Sequence, residues 1–479
     1  MAQRWVVSFT EGTAEQIALL GGKGAGLADM TRLGLPVPPG YTVTTETCRS
    51  YLQAGGEPPA KLWDDVHEAL GEIEQRTGRR LGDPRRPLLV SVRSGAAISM
   101  PGMMDTILNL GLNQETAAGL AELTDERFAL DSYRRLIQMF GKIALSVEGD
   151  PFEQALSAAK HRAGVAHDHE LPPAALRDLV VTFKGIVAAG GATFPDDPKE
   201  QLRLAILAVF RSWNTERAVA YRRSHGISDD IGTAANVQAM VFGNMGPDSA
   251  TGVAFTRDPN SGERRLFGEF LPNAQGEDVV AGTRTPLPLE RMAEEPCWQL
   301  VHRQLQATAD QLEAHYRDMQ DIEFTVEQGR LWMLQTRAGK RTAQAAVTIA
   351  VAQVGEGLIE RATAVRRVEP AQLEQLLHPR VDESRPLEVI ATGLPASPGA
   401  ATGRVVFDEA EARERGEAGE AIILVRIETS ADDFPGMERA RGILTARGGM
   451  PSHAAVVARG MGKPAVTGCA EIEIDEAAG

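Results

Sequence analysis

Residues 442–466 read GILTARGGMPSHAAVVARGMGKPAV, and this stretch decides the fold of the C-terminal part of the chain. An apolar segment leads into a glycine pair, Gly448 and Gly449, and His453 stands where a helical pattern begins. Strand, glycine-rich turn and helix in this order are typical of an α/β unit. Neutral imidazole can accept a phosphoryl group, and a helix N-terminus stabilises the negative charge that results. The sequence therefore predicts His453 as a phosphate carrier.

The rest of the chain divides by pattern into four further parts. Residues 1–112 alternate short apolar runs with glycine-rich turns, as βα units do, whereas residues 113–200 have helical spacing and read as a helical insert. Residues 201–340 return to mixed helix and strand. Residues 341–387 are predicted to form a helical linker that ends in a polar, proline-containing segment, and residues 388–479 form the last α/β domain. The fold class is α/β and α+β, in several domains.

A predicted hairpin supplies the first candidate metal ligands. In DIEFTV, residues 321–326, three apolar residues alternate with polar ones, so Asp321 and Glu323 project from one face, roughly 6.5–7 Å apart along the strand. Two carboxylates so placed can share divalent cations that bridge nucleotide phosphates. Gln335 and Arg337 follow on the facing strand with matching alternation. The alternative is that these residues form only the solvated side of an amphipathic hairpin.

Two glycine-rich stretches are candidate phosphate loops. Residues 21–26, GGKGAG, could bring backbone N–H groups and Lys23 to a phosphate, but they match neither common phosphate-loop spacing, so a plain tight turn is the alternative. Arg93 comes just past the apolar strand LLVSV and precedes a flexible run, residues 100–106. A guanidinium there can clamp phosphate oxygens. The alternative is an ordinary surface arginine.

Composition limits the possible partners. The 479 residues include 50 Lys or Arg and 65 Asp or Glu, giving a net charge of −15 and a pI near 5.2. A general nucleic-acid binder is excluded, because phosphate backbones require clustered cations, and any bound phosphate must be held locally. The three cysteines show no CxxC spacing, and neither a leader nor an apolar run of about 18 residues is present. We expect a cytoplasmic protein that binds neither nucleic acid nor membrane.

Taken together, these segments resemble the pyruvate, phosphate dikinase family. The resemblance spans nearly the whole chain in order. Its longest matching stretches are GGKGAGLADMTRLGLPVPPGYTVTTE, SVRSGAAISMPGMMDTILNLGLN, DSYRRLIQMFGK, VFRSWNTERAVAYRR, VFGNMGPDSATGVAFTRDPNSGERRLFGEFLPNAQGEDVVAGTRTP, MQDIEFTVEQGRLWMLQTRAGKRTAQAAV, GLPASPGAATGRVVF and GILTARGGMPSHAAVVARGMGKPAV.

The resemblance implies an ATP-grasp nucleotide-binding region followed by a swivelling phosphohistidine domain. In that family ATP transfers its β,γ-pyrophosphoryl group to the histidine, phosphate takes the terminal phosphoryl group, and the phosphohistidine converts pyruvate to phosphoenolpyruvate. Carried over by motif, His453 and Arg93 are the catalytic residues. The residues implied to bind the nucleotide are Lys23, Arg93, Gly102, Met103, Asp105, Thr106, Glu269, Gln275, Gln335 and Arg337. The implied Mg²⁺ ligands are Asp321 and Glu323.

Three departures from the family pattern are expected to matter. The pyruvate-binding TIM barrel, a fold of about 250 residues, is predicted to be absent, and the swivelling domain to lack its closing strands. Pro451 stands where the family usually has threonine, which excludes phosphorylation at that position. Pyruvate or phosphoenolpyruvate would then be reached only through a missing or separately encoded barrel.

The function predicted from the sequence is an ATP-dependent phosphotransferase whose ATP- and phosphate-dependent phosphorylation of His453 this chain can carry. Two alternatives stay open. The chain could be a dikinase-like enzyme for another acceptor, such as rifampicin. It could also be a non-catalytic nucleotide-binding or phosphocarrier subunit, or a remnant.

Overall fold

The computed structural model describes residues 4–100, 102–276, 278, 284–376 and 388–475. The chain divides into two compact units, Met1–Val241 and Phe242–Gly479. The polar segment of the predicted linker lies outside the described residues. No helix in the described part of the chain is long and apolar enough to cross a membrane.

The first unit is built on a five-stranded antiparallel sheet in the order β1-β2-β5-β3-β4. The central strands are rich in valine and alanine, and their side chains are almost wholly buried. The strands are β1 (Val6–Ser8), β2 (Gly40–Val43), β3 (Val90–Gly95), β4 (Thr106–Leu110) and β5 (Ala234–Ala239).

Nine helices in the described residues surround this sheet. The predicted helical insert contains four of them in full, and the buried aromatic side chains of Phe140, Phe152 and Phe183 form its core. The helices are α1 (Ile17–Arg32), α2 (Thr45–Gln53), α3 (Leu62–Thr77), α4 (Gln114–Leu123), α5 (Glu126–Ile143), α6 (Asp150–Ala163), α7 (Pro173–Ala189), α8 (Pro198–Ser212) and α9 (Glu216–Ser224).

The first glycine-rich stretch lies within a helix, which differs from the predicted turn. Helix α1 starts before the glycines and is interrupted only at Gly21, where φ is 68° and ψ is 168°. A Cβ at Gly21 would lie 1.7 Å from the carbonyl oxygen of Gly95, so only glycine permits this approach of the helix to β3. Beyond the interruption the chain resumes helical geometry, and Lys23 lies in its first turn.

The second unit begins with another five-stranded antiparallel sheet, in the order β10-β9-β6-β7-β8. Trp298 lies just before helix α11, and its ring packs edge-on against Phe270. Helix α11 therefore covers one face of the sheet. The elements are β6 (Ala250–Phe255), β7 (Phe267–Pro272), β8 (Leu287–Pro288), α10 (Glu290–Glu294), α11 (Gln299–Tyr316), β9 (Gln320–Glu327) and β10 (Arg330–Ala338).

The predicted hairpin is formed by β9 and β10. Gln328 and Gly329 have positive φ angles of 48° and 75°, as a two-residue hairpin turn requires. Ile322, Phe324 and Val326 are fully buried, as their alternation predicts. The pairing shifts register between Met333 and Gln335, where a β-bulge adds one residue to β10.

Three short helices connect this sheet to a third one. They are α12 (Ala343–Gly355), α13 (Arg361–Arg367) and α14 (Pro370–Gln375). The third sheet has the order β11-β15-β14-β13-β12, parallel except for the β11–β15 pair. Its elements are β11 (Leu394–Ser397), β12 (Arg404–Val406), α15 (Glu409–Glu417), β13 (Ile422–Arg426), α16 (Phe434–Arg439), β14 (Gly442–Thr445), α17 (His453–Met461) and β15 (Ala465–Thr467).

Candidate active site

In the first unit, the strand register places Arg93 within a polar row. Arg93 lies within β3, opposite Thr106 on β4 and Asn236 on β5. The Asn236 side chain accepts a hydrogen bond from the Thr42 hydroxyl at 2.8 Å and donates to the Arg93 carbonyl at 3.3 Å. Arg93 is therefore half-buried in the sheet, which differs from the surface-arginine alternative.

Helix α1 brings Lys23 to the same face of this sheet. A Cβ built on Gly95 would lie 3.2 Å from the Cβ of Lys23, and Gly95 shares its strand face with Arg93, two residues earlier. A Cβ on Gly24 would lie 2.6 Å from the Thr42 hydroxyl. Small residues on both elements thus let the helix lie close to the sheet, and the two predicted phosphate-binding cations share one face.

The predicted loop over the phosphates is held by an arginine that the sequence analysis missed. Arg217, on α9, donates to the Asp105 carboxylate at 2.5 Å and to the Met103 carbonyl at 3.3 Å. Gly102 has φ of 72°, and the Met103 side chain is buried. Burial raises the pKa of Asp105, although the Arg217 charge opposes this. The loop is therefore fixed at both of these residues.

In the second unit, one row of the sheet collects three predicted residues. Val253 on β6 pairs with Glu269 on β7 and with Glu323 on β9, and Glu323 pairs with Gln335 on β10. Directly opposed residues project from the same face. Glu269, Glu323 and Gln335 therefore lie in one line across four strands.

The neighbouring row holds Asp321 and Arg337 on the same face. Arg337 Nε donates to Asp321 Oδ2 at 2.7 Å. Asp321 is only 4% exposed, so a merely solvated face, the alternative offered by its sequence pattern, is wrong for this residue. Burial raises the pKa of the Asp321 carboxyl, although the Arg337 charge opposes this. Burial also acts to lower the pKa of Arg337, but the carboxylates of Asp321 and Glu323 outweigh it and raise that pKa above its ordinary value.

These carboxylates fit a magnesium ion that is completed by other oxygens. Asp321 Oδ1 is buried and has no hydrogen-bond partner among the described residues, and Glu323 projects from the same face two residues later. The described part of the chain contains no cluster of three or more His, Cys, Asp or Glu side chains suited to a metal. Mg²⁺ commonly takes one or two carboxylates and completes its shell with phosphate oxygens and water.

Gln275 is buried just beyond strand β7. Its backbone N–H donates to the Asp278 carboxylate at 2.9 Å, and its side-chain Nε2 donates to the Asn244 oxygen at 3.3 Å. Its Oε1 has no partner among the described residues. This oxygen is therefore a candidate acceptor for a ligand donor group.

His453 occupies the first position of helix α17, as predicted. The Ser452 hydroxyl caps the helix by accepting from the Ala455 N–H at 3.4 Å. The Thr429 hydroxyl lies 3.3 Å from His453 Nδ1, whereas Nε2 is buried without a partner among the described residues. Burial lowers the pKa of His453 to about 4, although Asp433 and Asp432 oppose this. The imidazole is thus neutral at neutral pH, and Nε2 is the available nitrogen.

The loop before His453 contacts the predicted nucleotide-binding sheet through Glu269. Glu269 Oε2 accepts a hydrogen bond from the Met450 N–H at 3.0 Å, and a Cβ on Gly449 would lie 2.4 Å from that oxygen. Burial raises the pKa of Glu269 to about 7, opposed by the Met450 N–H and by Arg459. The structure thus brings the loop before His453 to the row that contains Glu323.

Arg459, on the same helix as His453, fixes this loop from the other side. Its guanidinium donates to the Met450 carbonyl at 2.6 Å and to the Ala396 carbonyl at 3.0 Å. Burial lowers the pKa of Arg459 to about 10. The backbone N–H and the carbonyl of Met450, three residues before His453, are therefore both hydrogen-bonded.

Comparison with known proteins identifies the family of this chain. The family model for the "Pyruvate phosphate dikinase, AMP/ATP-binding domain" matches residues 17–59, 57–303 and 291–357, and the model for the "PEP-utilising enzyme, mobile domain" matches residues 418–479. The chain belongs to the pyruvate, phosphate dikinase family.

Several members of this family are similar to the chain over nearly its whole length. Pyruvate, phosphate dikinase 1, chloroplastic, of Oryza sativa subsp. japonica is 55% identical over 474 residues, covering 98% of this chain and 50% of the relative. Pyruvate, phosphate dikinase 2 of Zea mays is 54% identical over 471 residues, which cover 98% of this chain and 53% of the relative. Pyruvate, phosphate dikinase of Rhizobium meliloti (strain 1021) is 52% identical over 489 residues, which cover 99% of this chain and 54% of the relative. The chain spans about half the length of the curated relatives it matches.

The residues missed by the sequence analysis of this dikinase-family chain have a common feature. Arg217, Thr429 and Arg459 act on the candidate residues only through contacts made by folding, at sequence separations of 112, 24 and 9 residues from their partners. No local spacing rule could have identified them. Arg217 and Arg459 do lie in stretches quoted for the family resemblance, which was the available signal.

Proposed function

We propose that this chain is an ATP-dependent phosphotransferase of the dikinase type, in which ATP and phosphate support phosphorylation of His453. The observation that carries the proposal is the state of His453: a neutral imidazole at a helix N-terminus, with Nε2 unpartnered. Its loop rests on Glu269, in the row that leads to Glu323. The full reaction would convert ATP, phosphate and pyruvate to AMP, pyrophosphate and phosphoenolpyruvate.

In the first step, His453 Nε2 attacks the β-phosphorus of ATP. The Nε2–P bond forms as the bond from that phosphorus to the α,β-bridging oxygen breaks, and AMP leaves. In this proposal Nδ1 carries the imidazole proton throughout and makes its hydrogen bond to the Thr429 hydroxyl, 3.3 Å away, so the reactive lone pair is on Nε2. Inorganic phosphate then takes the terminal phosphoryl group as pyrophosphate, which leaves phosphohistidine.

Positive charge would lower the barrier of this step. Lys23, Arg93 and Arg337 are the cations that would neutralise the phosphate oxygens, since in-line phosphoryl transfer depends on positioning and electrostatic stabilisation. Asp321 and Glu323 would hold Mg²⁺. When bound, magnesium supplies charge neutralisation at the phosphates.

The same proposal includes an ATP-grasp architecture for residues 1–112 and 201–340, with residues 113–200 as its helical insert. Residues 341–387 would act as a hinge for a swivelling domain at residues 388–479, because the histidine must visit two reaction sites. The cytoplasmic location and the lack of nucleic-acid or membrane partners stay predictions from composition.

Of the alternatives, a rifampicin-type acceptor gains no support from the relatives quoted above, which carry pyruvate, phosphate dikinase names. A labelling experiment distinguishes the non-catalytic alternative from the proposed phosphotransferase. We expect ATP labelled at the β-phosphate, with Mg²⁺ and phosphate, to give an acid-labile phosphoprotein, and γ-label to appear in pyrophosphate. His453→Ala should abolish both products, whereas His67→Ala, at an exposed histidine, should not. Binding of ATP without any label transfer would establish the non-catalytic alternative instead.

A further inference from the structure

We propose that Lys340 is an additional phosphate-binding cation of this site and contacts the terminal phosphoryl groups of ATP beside Arg337. The inference rests on the proposed function, because it requires those phosphates to lie near the Asp321–Arg337 pair. Lys340 follows strand β10 by two residues. Its spacing does not distinguish it in the sequence, although it lies in a stretch quoted for the family resemblance, residues 319–347.

The backbone on both sides of Lys340 is fixed. The Gly339 N–H donates to the Met319 carbonyl at 2.9 Å. The Arg341 guanidinium donates to both oxygens of Asp318, at 2.7 Å and 3.0 Å. Because the next residue is committed to this two-bond ion pair, the peptide that carries Lys340 has little freedom to move.

The Lys340 amine lies beside the helix that carries His453. A Cβ built on Gly460, in α17, would lie 3.3 Å from Lys340 Nζ. Arg337 and Arg459 repel the ammonium and Asp321 attracts it. Lys340 is half-buried, and in the described part of the chain no carboxylate oxygen lies within ion-pair distance of its amine.

This arrangement favours an anionic ligand. Three cations, Arg337, Lys340 and Arg459, interact around Asp321, whose Oδ2 is already taken by Arg337. Together with burial, the two guanidinium charges lower the pKa of the Lys340 amine. A partly buried ammonium among other cations is unfavourable unless an anion balances it. Lysine binds phosphate as a point charge, and terminal phosphates held by Asp321 and Glu323 through magnesium would supply that anion.

Calorimetric titration of the full chain tests the proposal with two nucleotides. In the presence of Mg²⁺, we expect Lys340→Met to weaken binding of the β,γ-imido analogue of ATP by about tenfold or more, the range of a charged hydrogen bond. Affinity for AMP, which lacks the terminal phosphates, should change less than twofold. Lys340→Arg should restore most of the analogue affinity. Arg330→Met, at the exposed start of the same strand, removes an equal charge and should change neither affinity.

The outcomes separate this inference from the function on which it rests. Wild-type binding of the analogue together with equal binding by Lys340→Met would overturn the Lys340 assignment alone. An equal loss of AMP and analogue affinity would also overturn it, because that pattern indicates a structural role. Absence of analogue binding and of His453 labelling in the wild type would overturn the proposed function itself. If Lys340→Met does not fold, Lys340→Gln provides the same comparison with a polar side chain.

Discussion

At the scale of single residues, burial gives His453 its chemical state. An exposed histidine carries a substantial positive charge in mildly acidic solution, whereas burial lowers the pKa of His453 to about 4 and keeps the imidazole neutral. The Thr429 contact then distinguishes the two ring nitrogens. The neutral state of the imidazole and the free Nε2 therefore follow from burial and from Thr429, neither of which belongs to the motif itself.

The lowered pKa of His453 has a consequence for stability. Unfolding restores a pKa near 6.5 and takes up a proton below that pH, so the contribution of neutral His453 is present above pH 6.5 and is lost as pH falls toward 4. Between pH 7.5 and 5.0 we expect the wild type to lose about 2 kcal/mol more stability than His453→Ala. Urea unfolding at both pH values measures this. Parallel losses in the two proteins would show that His453 is not buried in its neutral form.

The Thr429 hydroxyl is predicted to govern the rate of His453 phosphorylation. Thr429→Val keeps the shape of the side chain but removes the partner of Nδ1, so the imidazole tautomer is no longer fixed. We expect labelling from ATP to slow by about tenfold, with unchanged affinity for the ATP analogue. Thr429→Ser keeps the hydroxyl and should react at near the wild-type rate. Equal rates for valine and threonine would exclude this role.

At the scale of secondary-structure elements, glycines set how closely the elements approach one another. Gly21 allows α1 to bend against β3, and Gly449 allows the loop before His453 to reach Glu269. The β-bulge in β10 also determines which residues face each other, because it shifts the register of the strand. It places Gln335 opposite Glu323, where regular pairing from the hairpin turn would have placed Leu334.

Substitution of Gly21 should destabilise the first unit. Gly21→Ala places a Cβ 1.7 Å from the Gly95 oxygen and forces alanine into a positive φ. We expect a loss of about 2 kcal/mol or more. Gly71→Ala, in the open interior of α3, should instead stabilise the protein by about 0.5–1 kcal/mol. Chemical denaturation of both variants is the measurement, and similar effects would contradict the proposed close approach of α1 to β3.

Substitution of Gly449 should separate phosphoryl transfer from nucleotide binding. Gly449→Ala introduces a Cβ 2.4 Å from Glu269 Oε2, so the Met450 N–H can no longer reach that carboxylate unchanged. We expect slower His453 labelling with little change in affinity for the ATP analogue. Gly355→Ala has open space around it and serves as the control. A normal labelling rate in Gly449→Ala would show that the Glu269 contact is not needed for transfer.

At the scale of the whole molecule, the family match joins parts of the chain that fold as separate compact units. The AMP/ATP-binding match extends from residue 17 to residue 357, whereas the units divide after Val241. Lys23 and Arg93 belong to the first unit, and Asp321 and Glu323 belong to the second. Each unit therefore contains its own set of candidate nucleotide-binding residues.

Thermal unfolding with and without the magnesium–ATP analogue tests whether the candidate residues of each set contribute to nucleotide binding. Ligand that binds only the folded protein raises the melting temperature by mass action, so saturating analogue should stabilise the wild type. Arg93→Ala and Asp321→Asn, one in each unit, should each lose most of that stabilisation, as removal of charged contacts costs about 1.5–3 kcal/mol. A full ligand-induced shift in either variant would remove that residue from the nucleotide site.

Local features of this protein could be predicted from spacing along the chain. Alternation in residues 321–326 predicted the buried side of the hairpin, and the glycine pair before His453 predicted its place at a helix start; the structure confirms both. Such features depend on spacing within a few residues, where the period of a strand or helix fixes which side chains share a face. The family resemblance, carried by whole motifs, was confirmed by comparison.

Tertiary structure alone decided how these features combine. The glycine-rich stretch resumes helical geometry after Gly21, where α1 packs against β3, and Asp321 is buried because its sheet face is covered. The contacts of Arg217, Thr429 and Arg459 join segments distant in sequence. Burial and long-range pairing depend on how elements pack, which periodicity cannot encode. The lowered pKa of His453 is therefore a consequence of the fold.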